Sequence, residues 1–187
     1  MIAEPIAQLK EQLVTGEMLL AMDDIGRVEL VAGRIVEKMP TGRPHGRIEL
    51  NIGAALHIYN KQYDYGEAYA GEVGVYTSRN PDTVRGMDAA LISHERLQKA
   101  KESGYLTFAP ELVVEVPSPN DSWTDVHRKL RKHFALDTKM VWLVDAEDRQ
   151  IYIYRSLTNL KIFLAGETLT CGDVLPQFAV AVDDILG

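Results

Sequence analysis

The stretch Leu112-Val113-Val114-Glu115-Val116 limits what this chain can fold into more than any other segment. It is apolar at odd and even positions alike, which fits a strand covered on both faces rather than one with a wet side. Such a strand belongs at the centre of an α/β sheet with helices above and below. Glu115 breaks the run. A carboxylate ionised there without compensation would cost several kcal/mol, so the fold must supply a partner for it.

The surrounding segments supply the rest of such a sheet. Apolar alternation on either side of Ala32-Gly33 predicts a tight hairpin over 28–31 and 34–38. Pro44 suits the first turn of a helix, and Ile48, Ile52, Ala55, Leu56, Tyr59 and Tyr63 then recur at helical spacing. Strands are predicted over 72–78 and 84–92 around the turn Asn80-Pro81-Asp82, and a short helix over 93–100 with Ser93 as its N-cap. After Glu115 the chain turns at Pro117-Ser118-Pro119-Asn120. A helix follows from Ser122 or Trp123 to about Leu136, with Ser122 and Asp125 approximating a capping box. Strands over 140–144 and 150–154 enclose the turn Asp145-Ala146-Glu147-Asp148. Residues 5–20 read as helical with a break near Thr15-Gly16. The expected fold is therefore α/β (α+β), a central mixed β-sheet flanked by helices, in a single domain over 1–187.

Composition narrows the function. Twenty Lys plus Arg against 27 Asp plus Glu give a net charge of −7, which argues against a passive nucleic-acid coat protein but not against an enzyme with a local basic patch. The single Cys171 rules out an internal disulfide framework and a multi-cysteine zinc site, and makes a reducing cytoplasm the expected compartment. No apolar run reaches the roughly 20 residues that a membrane span needs. Neither a dinucleotide-binding nor a P-loop glycine pattern is present. The five histidines lack H-x-x-x-H spacing, and Ser118 sits in no nucleophile elbow.

A second acid, Asp88, interrupts the apolar stretch 84–92 at a predicted strand end. If that strand neighbours the one carrying Glu115, the two carboxylates converge and repel. A divalent ion held by carboxylates and water, as magnesium is, would resolve the conflict. A structural alternative stands beside it: Glu115 pairs with a Lys or Arg, or lies at a sheet edge. On the following helix, Trp123, Val126, Leu130 and Phe134 form the expected apolar stripe. Asp125, Lys129 and His133 run along one flank of it at i, i+4 and i+8. The stem of Lys129 can thus be buried while its ammonium reaches a site. His127, Arg128, Lys129, Arg131, Lys132 and His133 are the densest basic cluster in this acidic chain, either a solvated face or a binding surface. His45, opening its helix, either faces a cleft or is structural, and Glu37 is expected to face solvent.

Taken together these segments resemble a known family. Val28-Glu29-Leu30-Val31-Ala32-Gly33-Arg34-Ile35-Val36-Glu37 is similar to the opening "ELvdGeiv" hairpin of the bacterial Uma-two restriction-endonuclease-like family, in the PD-(D/E)XK nuclease superfamily. His45 falls where that family often opens its long helix with a histidine. Arg85-Gly86-Met87-Asp88 resembles its "R-x-P-D" strand. Residues 110–119 resemble "P-x-L-v-v-E-V-x-S-P", Asp125 and Lys129 match acidic and basic positions of its next helix, and Val141-Trp142-Leu143-Val144-Asp145 resembles "yWlvD". The resemblance implies a restriction-endonuclease-like fold with Asp88 and Glu115 as the catalytic acids. Mg2+ (or Mn2+) would be bound by Asp88, Glu115 and the Val116 carbonyl. Two positions depart from the pattern: Met87 stands for a proline, and Pro117 takes the place of the lysine in E-x-K. The resemblance assigns that lysine's role to Lys129, while His133 replaces a usual tyrosine.

The expected function is metal-dependent hydrolysis of nucleic-acid phosphodiester bonds, with DNA as the first choice of substrate, by a homo-oligomer that does not associate with membranes. The rival is an inactive nuclease-fold module that binds nucleic acid or a partner protein. A third possibility is a metal-dependent hydrolase of smaller substrates.

Overall fold

The computed structural model describes residues 13–100, 103–118 and 121–187. The first part of the helix expected over 5–20, and the end of the turn at Pro119-Asn120, lie outside them. The break at Thr15-Gly16 is where the first described helix starts: α1, Gly16–Leu20, is capped by the Thr15 hydroxyl, which accepts from the Met18 amide.

β1 (Val28–Val31) and β2 (Arg34–Glu37) form the expected hairpin. Ala32 and Gly33 both take positive φ, 50° and 74°, the conformation that lets a two-residue turn follow the strand twist. Thr83 and Asp82 hold this turn through the Ala32 and Gly33 amides, at 2.9 and 2.7 Å. The long helix α2, Arg43–Tyr63, has Pro44 in its first turn and buries Ile48, Ile52, Leu56 and Tyr59. β3 (Gly66–Ser78) and β4 (Thr83–Ser93) follow, then α3 (His94–Leu97) with Ser93 as its N-cap. β3 starts earlier than expected, since Gly66-Glu67-Ala68-Tyr69-Ala70-Gly71 has no β-branched residue to mark it as a strand. Pairing with β4, residue by residue from Gly66↔Ser93 to Ala70↔Ala89, recruits it to the sheet.

β5 (Leu112–Glu115), α4 (Trp123–Ala135), β6 (Met140–Asp145), β7 (Gln150–Ser156) and β8 (Asn159–Leu164) complete the main sheet. Its order is β2-β1-β4-β5-β6-β7-β8, with β3 on the other edge of β4. β5 and β6 run parallel, with α4 as the crossover, and the other neighbours are antiparallel. A small pair, β9 (Thr168–Thr170) with β10 (Ala179–Ala181), and α5 (Val182–Leu186) close the chain. This is the mixed, helix-flanked sheet that the sequence predicts.

β5 is buried at every position, with a core on each side. Leu112 and Val114 pack with Ile48, Ile52 and Leu56 of α2 and with Trp142. Val113 packs with Val126 and Leu130 of α4 and with Val141. Alternation then turns Glu115 toward α4. One expectation about α4 is corrected. Trp123 is 55% exposed and does not extend the stripe. It sits at the first helical position, with its ring edge-on to Tyr152 of β7 at 6.1 Å. His133, 2% exposed, is buried in its stead. Among the described residues, no helix is long and apolar enough to cross a membrane.

Candidate active site

The site lies where β4 and β5 part. Ala89, Ala90 and Leu91 pair with Val114, Val113 and Leu112, so the next step of the same register sets Asp88 opposite Glu115. Instead of a further backbone rung, the Asp88 side chain closes the ladder: its Oδ2 accepts from the Val116 amide at 2.6 Å. On the same edge of β4, β1 returns only at Leu30↔Val84. Residues 85–88 thus border an opening between two strands.

A bulge in β3 gives Asp88 its direction. Ala70 pairs with Ala89 and Val73 with Met87, so Gly71 and Glu72 together oppose Asp88. Both take positive φ, 89° and 63°. Across this bulge the faces of β4 exchange: Met87 packs in the α4-side core and Ala89, two residues on, in the α2-side core. A regular strand would send both to the same side. Asp88 lies at the exchange, aimed along the sheet toward the end of β5.

Glu115 is 5% exposed and has two partners. Lys129 Nζ donates to Oε2 at 2.5 Å, and His133 Nε2 lies 3.0 Å from Oε1. Lys129 and His133, one turn apart on α4, face Glu115, while Asp125, the first residue of the flank read from the sequence, pairs with Arg128 instead. Burial alone would raise the Glu115 pKa. The Lys129 charge and the bond from His133 overcome it and hold the carboxyl well below its ordinary range. Burial likewise works against the charge of Lys129, but Glu115 prevails and keeps that ammonium above the ordinary lysine range. Lys129 is therefore a fixed cation at neutral pH.

His45, on the first turns of α2, faces Asp88. Its Nε2 lies 3.6 Å from Asp88 Oδ1 and its Nδ1 3.8 Å from Glu49 Oε2. Asp88 raises the His45 pKa, burial opposes the rise, and Glu49 adds to it. His45, Val116, Pro117, Trp123 and Leu143 line one open cleft of about 450 Å³. A smaller cavity of about 20 Å³, room for one water, lies beside Glu115 between Asp121, Asp125, Lys129 and Val126.

All four residues singled out for the site, Asp88, Glu115, Val116 and Lys129, thus lie at the parting of two strands. His133 and His45 join them in roles the sequence left open. The ion pair from Lys129 also matches the structural alternative for Glu115. Among the described residues, no group of three or more His, Cys, Asp and Glu side chains gathers as a metal centre. What is present is two carboxylates on facing strands, joined through the Val116 amide, with a water-sized cavity on the Lys129 side of Glu115. That donor set is hard and oxygen-rich, and it suits an ion that keeps several waters rather than a closed protein cage.

Comparison with known proteins gives the chain a family and a fold. The profile of the Uma2 family, described as "Putative restriction endonuclease", matches residues 16–183. The chain belongs to the Uma2 family. Among solved structures, it is similar to the crystal structure of "a putative nuclease belonging to DUF820" from Anabaena variabilis ATCC 29413. The two share 19% sequence identity over 92% of this chain and 97% of that one, with a TM-score of 0.74, which establishes a common fold. No curated protein matches the chain.

Proposed function

We propose that this Uma2 protein hydrolyses phosphodiester bonds in nucleic acid, DNA before RNA, with Mg2+ or Mn2+ as cofactor. One observation carries the reading: the carboxylate of Asp88 bonds the amide beside Glu115, on the facing strand, while Lys129 reaches Glu115 from the helix that follows it. Three residues from three separate elements meet where two strands separate. A core ion pair would need only two of them.

Asp88, Glu115 and the Val116 carbonyl would hold the ion. Bound there, it would acidify a water and neutralise charge on the scissile phosphate. The residues of the chain do the rest. Lys129 keeps its proton, so it acts as a fixed cation and hydrogen-bond donor toward a phosphate oxygen or the attacking water, and not as a base. His133 fixes the orientation of Glu115 from within the core, and the Val116 amide does the same for Asp88. Pro117 leaves β5 without a lysine two residues after the acid. Lys129 supplies that charge from α4, one helix later in the chain.

A second reading has its own support. Both oxygens of Glu115 are engaged by cationic or hydrogen-bonding side chains, as expected of a nuclease fold kept for binding alone. One experiment separates the two. Purified protein is incubated with single- and double-stranded DNA and with RNA, in Mg2+, Mn2+ or EDTA, beside Asp88→Asn and Glu115→Gln. Ion-dependent cleavage that both substitutions abolish is the expected result. Wild-type protein that binds nucleic acid but leaves every substrate intact with both ions would establish the binding module instead.

A further inference from the structure

The opening between β1 and β5 carries a second group of charges, distinct from Asp88, Glu115 and Lys129. Arg85 lies three residues before Asp88 on β4. It pairs with Val75, which packs in the α4-side core, so its side chain shares that face. Its Nη1 bonds Glu29 Oε2 at 2.5 Å, while its Nε is buried without a hydrogen-bond partner among the described residues. Glu29, itself 3% exposed, also receives the Gly86 amide at 3.3 Å and Lys38 Nζ at 3.3 Å. Across from it, Arg128 and Lys132 stand one turn apart on α4, beside the flank that carries Lys129. Arg128 Nη1 bonds Asp125 at 2.6 Å, a pair half exposed at both ends.

Lys132 is half-buried, and no carboxylate lies within ion-pair distance of it among the described residues. Burial first, then the charges of Arg85 and Arg128, push its pKa down, with only Glu29 acting the other way. Val75 and Met87, beside Arg85 on that face of the sheet, pack with Val126 and Leu130, so α4 covers the face on which Arg85 lies. In a chain of net charge −7, cations gathered against one another cost the free protein stability, and a bound anion recovers that cost.

We propose that Arg85, Arg128 and Lys132 form a phosphate-binding site for the nucleic-acid strand that runs through the cleavage centre. The proposal rests on the nuclease reading and extends it by fixing the path of the substrate. Three residues of strand put Arg85 about 10 Å from Asp88. That separation sets the site beside a flanking phosphate of the nucleic-acid strand rather than the scissile one. Glu29 holds the Arg85 guanidinium at the floor of the site. Arg128 leaves its screened pair with Asp125 to meet the ligand, and Lys132 gains the anion it lacks.

The test measures binding without cleavage. The anisotropy of a labelled duplex of about 20 base pairs is titrated in EDTA, between about 50 and 200 mM salt, for wild type, Arg128→Gln, Lys132→Met and Lys61→Met. Lys61 lies on the last turn of α2, away from the site. Arg128→Gln and Lys132→Met should each weaken binding by roughly three- to tenfold and lower the slope of log affinity against log salt by about 0.9. Lys61→Met should match wild type, and Lys132→Met should melt no lower than wild type, because a repelled charge is lost. Slopes unchanged in both site variants, with wild type binding normally, overturn the phosphate site and leave the nuclease reading standing. Wild-type protein that binds neither DNA nor RNA at the lowest salt overturns both.

Discussion

Lys129→Met removes one charge from a pair whose other member is almost fully buried. Glu115 is 5% exposed, and Lys129 Nζ is its nearest cation at 2.5 Å. Breaking a buried ion pair from one side costs about 3–5 kcal/mol, since the remaining charge is stranded. Two features reduce that here. The Lys129 side chain is 26% exposed, and His133 stays 3.0 Å from the other oxygen of Glu115. A loss of about 2–3 kcal/mol at pH 7 is expected, or roughly 4–12 °C in melting temperature for a domain of this size. The pH dependence fixes the mechanism. In wild type the Glu115 pKa is depressed on folding, so its stabilisation is present above the unfolded value of about 4.3 and lost as pH falls through the lower folded value. Without Lys129, burial lifts that pKa instead, and the stranded carboxylate is relieved by taking up a proton. The gap between Lys129→Met and wild type should therefore narrow as pH falls from 7 toward 5. Glu115→Gln, which keeps the shape and strands no anion, should lie within about 1 kcal/mol of wild type at pH 7. Urea denaturation of the three proteins at several pH values measures all of this. A constant gap across that range, or equal losses in Lys129→Met and Glu115→Gln, would refute the argument.

Gly71→Val places a β-branched residue at φ 89°, a cost of about 1–3 kcal/mol. It should also disturb the aim of Asp88, seen as faster hydrogen exchange at the Val116 amide; unchanged exchange would separate the bulge from the site. An NMR titration of His45 should give a pKa above 6.5 that returns toward 6.5 in Asp88→Asn. Because that value is raised on folding, the stabilisation it brings is full below pH 6.5 and lost as pH climbs through the folded value. Trp123→Ala should cost less than Leu130→Ala, for which about 2–5 kcal/mol is expected, as chemical denaturation of both would show. With magnesium added, wild type should melt at a higher temperature and Asp88→Asn should not; equal gains in both would remove Asp88 from the ion site.

Much of this was legible in the sequence alone, and the legible part is local. Apolar residues on both faces of 112–116 required a central strand, and alternation within it turned Glu115 toward a helix. Ser122 fixed the start of α4, so helical geometry alone put Lys129 and His133 on one flank. The Ala32-Gly33 turn, Pro44 at a helix start and Ser93 as an N-cap depend likewise on neighbours within a few residues. The site had to be assembled by tertiary structure. That Asp88 stands opposite Glu115 follows from the register of two strands joined through 18 intervening residues, and register leaves no mark in either strand. The bulge at Gly71-Glu72, the burial of Glu29 under Arg85 and the exposure of Trp123 have the same origin. Periodicity determines which way a side chain faces within its own element, while only the packing of distant elements decides what it meets there.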